Sequence, residues 1–435
     1  MWFDESVIYQ IYPFAFVGAP EFNDGKTENR MQRFIDYIPH LKKLNVNAVY
    51  FCPIFESSRH GYDTKDFSKI DCRLGTNENF KTLCEEYHKN GIKVILDGVF
   101  NHVGREFFAF EDVKKNKANS RYKDWFHINF DGNSNYDDGF YYEGWVGHYE
   151  LVKLNLSNPE VKNHIFECVK MWIEEFDIDG LRLDVAYLLE KEFLKELRRF
   201  VDSLKPEFFM LGEMVHGEYY KQIMNDEMLH SVTNYECFKG IYSSFNDMNM
   251  YEISYSLNRQ FGSDGWCLYT GKNLMSFVDN HDVSRIASLI TNPNHLKLAF
   301  GLLFTMPGIP CIYYGSEWGA EGVKVEGTDE SLRPRVERPV FNELSEFISR
   351  LCKIRTENKI LAYGSFANLV ITNPQYVFER RLNDKRIVVA INAAENDFTA
   401  QLNLSGEGTE LLTNQKMQLS NELLMPAYSI QIIEI

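Results

Sequence analysis

The chain has 435 residues, 44% of them hydrophobic, which allows a large core and more than one ordinary domain, although an α/β barrel can by itself take about 250 residues. Its formal charge of -16 gives an acidic surface that repels phosphate backbones and anionic lipid, so nucleic acid is not an expected partner and a neutral or cationic ligand is easier to hold. The eight cysteines are scattered, with no spacing that suggests zinc or a disulfide framework.

The opening Met1-Trp2-Phe3-Asp4-Glu5 lacks a basic segment followed by an apolar one, and no apolar run is long enough to span a membrane. A reduced, cytoplasmic protein with no membrane partner is the expectation. Val7 to Tyr12 reads as a buried strand ended by Pro13. A helix with Phe34, Ile38 and Leu41 on one face then leads to the strand Val46 to Phe51 and a loop ending in His60-Gly61-Tyr62-Asp63. The next helix carries Phe80, Leu83, Cys84 and Tyr87, stops at Asn90-Gly91, and hands over to Ile92 to Asp97, after which stand Asn101 and His102.

Residues 104–155 are rich in Asn, Asp, Gly and aromatics and show no long helical period, so they read as a small inserted domain. Alternation resumes with an apolar helix from Val161, the stretch Asp179-Gly180-Leu181-Arg182-Leu183-Asp184, and a helix with Phe193, Leu197, Phe200 and Leu204 that feeds Phe208 to Glu213. Weaker strand signals follow at Ser231 to Tyr235 and Leu274 to Val278, the latter running into Asp279-Asn280-His281-Asp282; a last helix, Leu296 to Phe304, precedes Pro310 to Tyr314. Eight strand candidates separated by helices favour a parallel sheet closed into a (β/α)8 TIM barrel, with chemistry at the carboxyl ends of the strands. From 361 the texture changes to short alternating strands. The expected architecture is therefore a barrel of residues 1–103 and 156–360, the inserted domain 104–155 after strand 3, and a C-terminal antiparallel β-sandwich, 361–435.

Three strands each deliver a carboxylate to one rim: Asp184, Glu213 and Asp282. Like charges raise one another's pKa, so such a cluster is hard to justify for stability alone. Arg182 and Asp184 share a strand face, because side chains alternate with period two, and the guanidinium is expected to hold Asp184 ionised. Glu213, behind the apolar Phe208 to Leu211, is expected to keep its proton longer. One ionised and one protonated carboxyl is what cleavage of a glycosidic bond with retention requires, and Asp282 would stabilise the positive charge that develops on the sugar.

Asp97-Gly98-Val99-Phe100-Asn101-His102, Gly180-Leu181-Arg182-Leu183-Asp184, Gly212-Glu213 and Phe277-Val278-Asp279-Asn280-His281-Asp282 together resemble the four segments of the α-amylase family, glycoside hydrolase family 13, in the same order. The resemblance implies Asp184 as nucleophile, Glu213 as acid/base and Asp282 as transition-state stabiliser. It places His102, Arg182 and His281 around the sugar at the cleavage subsite, with Tyr62 stacking beneath it and Asp63, beside Tyr62, as a further substrate-binding residue. Asp329 and Arg333 resemble the family's pair for the next sugar on the non-reducing side. Asn101 matches a family calcium ligand, but the Lys-His that follows the nucleophile in many calcium-binding members is Ala186-Tyr187 here. No cofactor is therefore expected to be required and no metal is expected, although oxygens in the insertion suit a hard cation such as calcium.

Val152-Lys153-Leu154-Asn155 resembles the signature of neopullulanases and cyclomaltodextrinases, whose tryptophan after the acid/base is absent from Glu213-Met214-Val215-His216. The reading is a retaining α-glucan hydrolase acting on α-1,4 and also α-1,6 bonds of maltooligosaccharides, with an oligosaccharide as its partner. A glucosyltransferase or isomerase on the same scaffold and a non-catalytic carbohydrate-binding protein stay open as alternatives, as do chain-length preference and oligomeric state.

Overall fold

The computed structural model describes residues 1–215 and 220–435. Eight short strands form its centre: Ile8–Ile11 (β1), Ala48–Phe51 (β2), Lys93–Gly98 (β3), Gly180–Leu183 (β4), Phe209–Gly212 (β5), Ser231–Val232 (β6), Met275–Phe277 (β7) and Ile309–Tyr313 (β8). Their hydrogen-bonded order is β6-β5-β4-β3-β2-β1-β8-β7, parallel throughout. The two ends meet through a single bridge between Thr233 and Met275. There the Asn234 N–H donates to the Met275 carbonyl at 2.9 Å, and the Met275 N–H donates to Ser231 Oγ at 3.0 Å. The sheet is thus a closed barrel with one thin seam, and the two weakest strand signals in the sequence are the strands on either side of it.

Strand residues are buried on both faces, because helices cover the outside of a parallel sheet while side chains fill the inside. The helix Pro159–Phe176 shows how a strand is delivered. Asn158 accepts from the Glu160 N–H as N-cap, and Pro159 takes the first helical position. Val161, Ile165, Cys168, Val169, Trp172, Ile173 and Phe176 then form one buried stripe. The helix stops at Asp177 in a left-handed conformation, φ 59°, and the chain turns into β4.

Between β3 and β4 the chain leaves the barrel and builds an antiparallel sheet from His102–Gly104, Gly144–Trp145 and His148–Lys153. The segment also holds a helix that its sequence texture did not announce, Phe108–Asn116. Its nine residues bury only Ala109, Phe110 and Val113, too short a stripe to stand out as a period. Leu154 closes the excursion by donating its N–H to the Asn101 carbonyl at 3.0 Å, so the insertion is fastened to the rim beside His102.

The C-terminal sandwich has six antiparallel strands: Ser365–Ile371, Gln375–Leu382, Lys385–Asn392, Phe398–Glu410, Gln415–Met425 and Ser429–Glu434. Alternation decides its two faces. Val377, Val388 and Ala390 pack under the long hairpin residues Ala400, Leu402, Leu419, Leu423 and Met425. Their neighbours Tyr376, Phe378, Ile387 and Val389 join the barrel's core. Helix Lys359–Tyr363 straddles the expected border at 360/361. All eight cysteines are unpaired thiols, and no helix among the described residues is long and apolar enough to cross a membrane.

Candidate active site

Strand register places the charged groups. Arg182 in β4 pairs with Asp97 in β3, so both side chains stand at one level of the barrel. Asp184 follows the last residue of β4 and donates its N–H to the Gly98 carbonyl at 3.2 Å; Glu213 follows the last residue of β5 and donates to the Leu183 carbonyl at 2.9 Å. These backbone bonds extend the ladder one step and fix both carboxyls at the carboxyl ends of the strands. Val185, next to Asp184, sits at φ 40°, a left-handed conformation that a β-branched residue rarely adopts. This strained turn aims the Val185 N–H at Glu213 Oε2, 3.0 Å away.

Arg182 is the hub. Its Nη1 donates to both Asp97 oxygens at 2.9 Å and to Asp184 Oδ1 at 2.9 Å, and its Nη2 meets Glu213 Oε1 at 2.8 Å. The four side chains are buried. The expectation that Arg182 would keep Asp184 ionised is corrected by this arrangement. Burial, only partly offset by Arg182 and reinforced by Glu213, pushes Asp184 up to about 7. Asp97 rises to about 7 for the same first reason. Burial, partly offset by Arg182, also raises Glu213. One guanidinium shared by three carboxyls cannot hold all three as anions in a dry setting, so the cluster titrates as a unit and retains protons near neutrality.

Across the mouth, Asp282 lies in a second set of contacts. Its carboxylate receives Arg333 Nη2 at 3.1 Å and His281 Nε2 at 3.1 Å, and its side chain is 39% exposed. Burial opposes its ionisation, but His281, Arg333 and Arg182 outweigh that and hold its carboxyl below the ordinary range. Gln10 Nε2 donates to His281 Nδ1 at 2.8 Å, which leaves the ring proton on Nε2, 2.5 Å from the Tyr62 hydroxyl. The Tyr62 and Tyr12 rings lie nearly parallel to that imidazole, with centroids 5.9 and 6.2 Å away. Burial pushes His281 down to about 3, so it acts as a neutral ring.

His102 is also buried and pushed down to about 3 by that burial. Asn101 Nδ2 donates to its Nδ1 at 3.1 Å, leaving the N–H on Nε2. That nitrogen has no hydrogen-bond partner among the described residues, and it lies 3.9 Å from Asp184 Oδ2. It is an unsatisfied buried donor aimed beside the acid that would attack a substrate.

Residues 10–360 match the family described as alpha amylase, catalytic domain. The chain belongs to the α-amylase family. It is a glycoside hydrolase. A cyclomaltodextrinase of Thermoanaerobacter pseudethanolicus is 33% identical over 97% of this chain and 76% of that relative. Neopullulanase 2 of Thermoactinomyces vulgaris is 33% identical over 94% of this chain and 72% of its own length. A solved cyclomaltodextrinase superposes with a TM-score of 0.87 at 29% identity, covering 100% of this chain and 78% of that one.

Within this α-amylase-family barrel the structure brings together Asp184, Glu213, Arg182, His102, Tyr62, His281 and Asp282, and links Asp329 to them through Arg333, whose Nη2 lies 2.8 Å from Asp329 Oδ2. Asp63 stands one step back. Its carboxylate accepts the His60 and Gly61 N–H groups at 3.0 and 3.1 Å, so it shapes the loop that presents Tyr62. Asp97 takes its expected place on the rim, and two contributors had gone unassigned: Tyr50, whose hydroxyl donates to Asp97 Oδ2 at 2.6 Å, and Gln10, which fixes the His281 tautomer. Their signal was a polar atom inside an otherwise apolar strand.

Asn101 turns its amide nitrogen to His102 Nδ1 at 3.1 Å, which leaves its Oδ1 as the atom of that side chain able to meet a cation. His216, in the run that departs from the neopullulanase pattern, lies outside the described residues.

Proposed function

We propose that this enzyme cleaves α-1,4 and also α-1,6 glucosidic bonds of short maltooligosaccharides with retention, through a covalent glucosyl-enzyme, and that it works in the cytoplasm. The observation that carries this reading is the split among its carboxyls: Asp282 held below the ordinary range, Asp184 and Glu213 raised and sharing one guanidinium.

In the reactive form the proton shared by the cluster sits on Glu213 and leaves Asp184 ionised; Asp184 then attacks the anomeric carbon while Glu213 gives its proton to the glycosidic oxygen, and the aglycone leaves as an alcohol. The second step returns that proton. Glu213 takes one from water, the hydroxyl adds to the anomeric carbon, and the Asp184 ester bond breaks. Asp282, ionised and across the mouth, favours the oxocarbenium-like charge in both steps. His102 Nε2 and His281 donate to hydroxyls of the same glucose, Tyr62 stacks beneath its ring, and Asp329 with Arg333 binds the next glucose on the non-reducing side. Asp97 and Tyr50 hold Arg182, Gln10 holds His281, and Asp63 holds the Tyr62 loop. Neutral sugars suit a chain of net charge -16. The likeness to a cyclomaltodextrinase and a neopullulanase supports the choice of small glucans.

Asp184→Asn and Glu213→Gln should each lower kcat on maltotriose by several orders of magnitude, and NMR of the first product should show the α-anomer. Wild-type turnover in either variant, or a β-anomeric first product, would reject the assignment. Glucose-transfer products without net release of reducing ends would favour a transferase.

A further inference from the structure

Asp329 and Arg333 have a third companion. Lys324, on the loop between β8 and Arg333, places its Nζ on Asp329 Oδ1, while Arg333 holds the other oxygen. Arg333 in turn reaches Asp282, so Lys324, Asp329, Arg333 and Asp282 form one alternating line of charge that ends at the cleavage point.

A loop lysine normally moves freely, and holding one in place costs side-chain entropy. This loop is fastened to the segment that follows Asp282. The Lys324 N–H donates to Ser284 Oγ at 2.8 Å, the Gly322 N–H to Ser288 Oγ at 2.9 Å, and the Arg285 N–H to the Gly322 carbonyl at 2.8 Å. Ser331 Oγ donates to the Val323 carbonyl at 2.6 Å. The Lys324 side chain is 46% exposed, and Asp329 is its ammonium's one partner among the described residues, so N–H bonds remain for a ligand.

We propose that Lys324 is a specificity-determining residue that, with Asp329, grips neighbouring hydroxyls of the second glucose on the non-reducing side. This inference rests on the assignment of Asp329 and Arg333 made under Proposed function. A vicinal diol needs an acceptor for one hydroxyl and a donor for the other. Asp329, whose two oxygens face Lys324 and Arg333, supplies the acceptor, and Lys324 supplies the donor beside it. A surface ion pair kept for stability alone contributes little, which leaves a structural reason for so many tethers weak.

The test is Lys324→Met against maltotriose and an aryl α-glucoside, the latter placing a single glucose on the non-reducing side. KM for maltotriose should rise about ten- to hundredfold, the effect of one charge-assisted hydrogen bond, with a change at least tenfold smaller for the aryl glucoside. In an Asp329→Asn background the same substitution should add less than about threefold. Calorimetry of maltotriose binding to the Asp184→Asn protein gives a readout without turnover, and Lys324→Met should weaken it by the same factor. Equal losses on both substrates, a fall in kcat alone, or unchanged maltotriose binding would overturn the inference. A wild type that cleaves neither substrate would instead strike the proposed function beneath it.

Discussion

Asp184→Asn should make the folded protein more stable while removing its turnover, and the gain should depend on pH. Burial and Glu213 raise the Asp184 carboxyl from 3.8 to about 7 against the pull of Arg182. Between those values the folded chain binds the proton more tightly than the unfolded chain, so stability falls as pH rises through the window. Below about 4 both states are protonated and the contribution is complete; above about 7 it is gone. Three units at about 1.4 kcal/mol each give about 4 kcal/mol as an upper bound, because Asp97 and Glu213 share the same protons. Asparagine does not titrate and keeps an oxygen for Arg182. At about 2.1 cal/mol/K per residue of unfolding entropy, a 435-residue chain melting as a unit converts this into a Tm gain of about 4 °C. Differential scanning calorimetry from pH 4.5 to 8.5 would show the gain emerging across the acid range and levelling above neutrality. A gain independent of pH, or a less stable variant at pH 8, would refute the reasoning.

Removing the hub should act in the opposite direction. Arg182→Met leaves three buried carboxyls without their cation and should cost about 3–5 kcal/mol in a denaturant titration. His102→Asn should lower kcat/KM on maltotriose by about ten- to hundredfold with a much smaller effect on melting, since the Nε2 donor has no protein partner to lose. In a pH–rate profile, kcat should fall on the alkaline side as the raised Glu213 loses the proton it must donate, and Glu213→Gln should abolish that limb together with activity. Chelation followed by gel filtration should leave maltotriose hydrolysis intact, because Ala186-Tyr187 stand where many calcium-binding members carry Lys-His; recovery of lost activity by added calcium would contradict this.

The barrel was legible because its signals are local: a buried stripe such as Val161 to Phe176 followed by a short apolar strand can be read without knowing any neighbour. The acids were legible for the same reason, since Asp184 and Glu213 stand immediately after strands that announce themselves. What the chain order concealed was the sharing of charge. Arg182 is two residues from Asp184, and nothing in that spacing reveals that the same guanidinium also serves Asp97 and Glu213, which reverses the direction expected for Asp184. Asp63 looked like a sugar ligand by its place beside Tyr62, and only the fold shows its oxygen turned back onto the N–H groups of its own loop. The helix Phe108–Asn116 escaped because three buried side chains are too few to define a period.

The seam between β6 and β7 carries a consequence for heat. Asp184 and Glu213 belong to strands on one side of it, Asp282 to the strand on the other, and a lone Thr233–Met275 bridge with a few side-chain bonds is the ladder between them. Warming should loosen that joint first and let the two halves of the catalytic trio drift apart while the helices stay wound. Inactivation would then run ahead of the loss of circular dichroism, and stitching this one junction would lengthen working life without touching a single reacting atom.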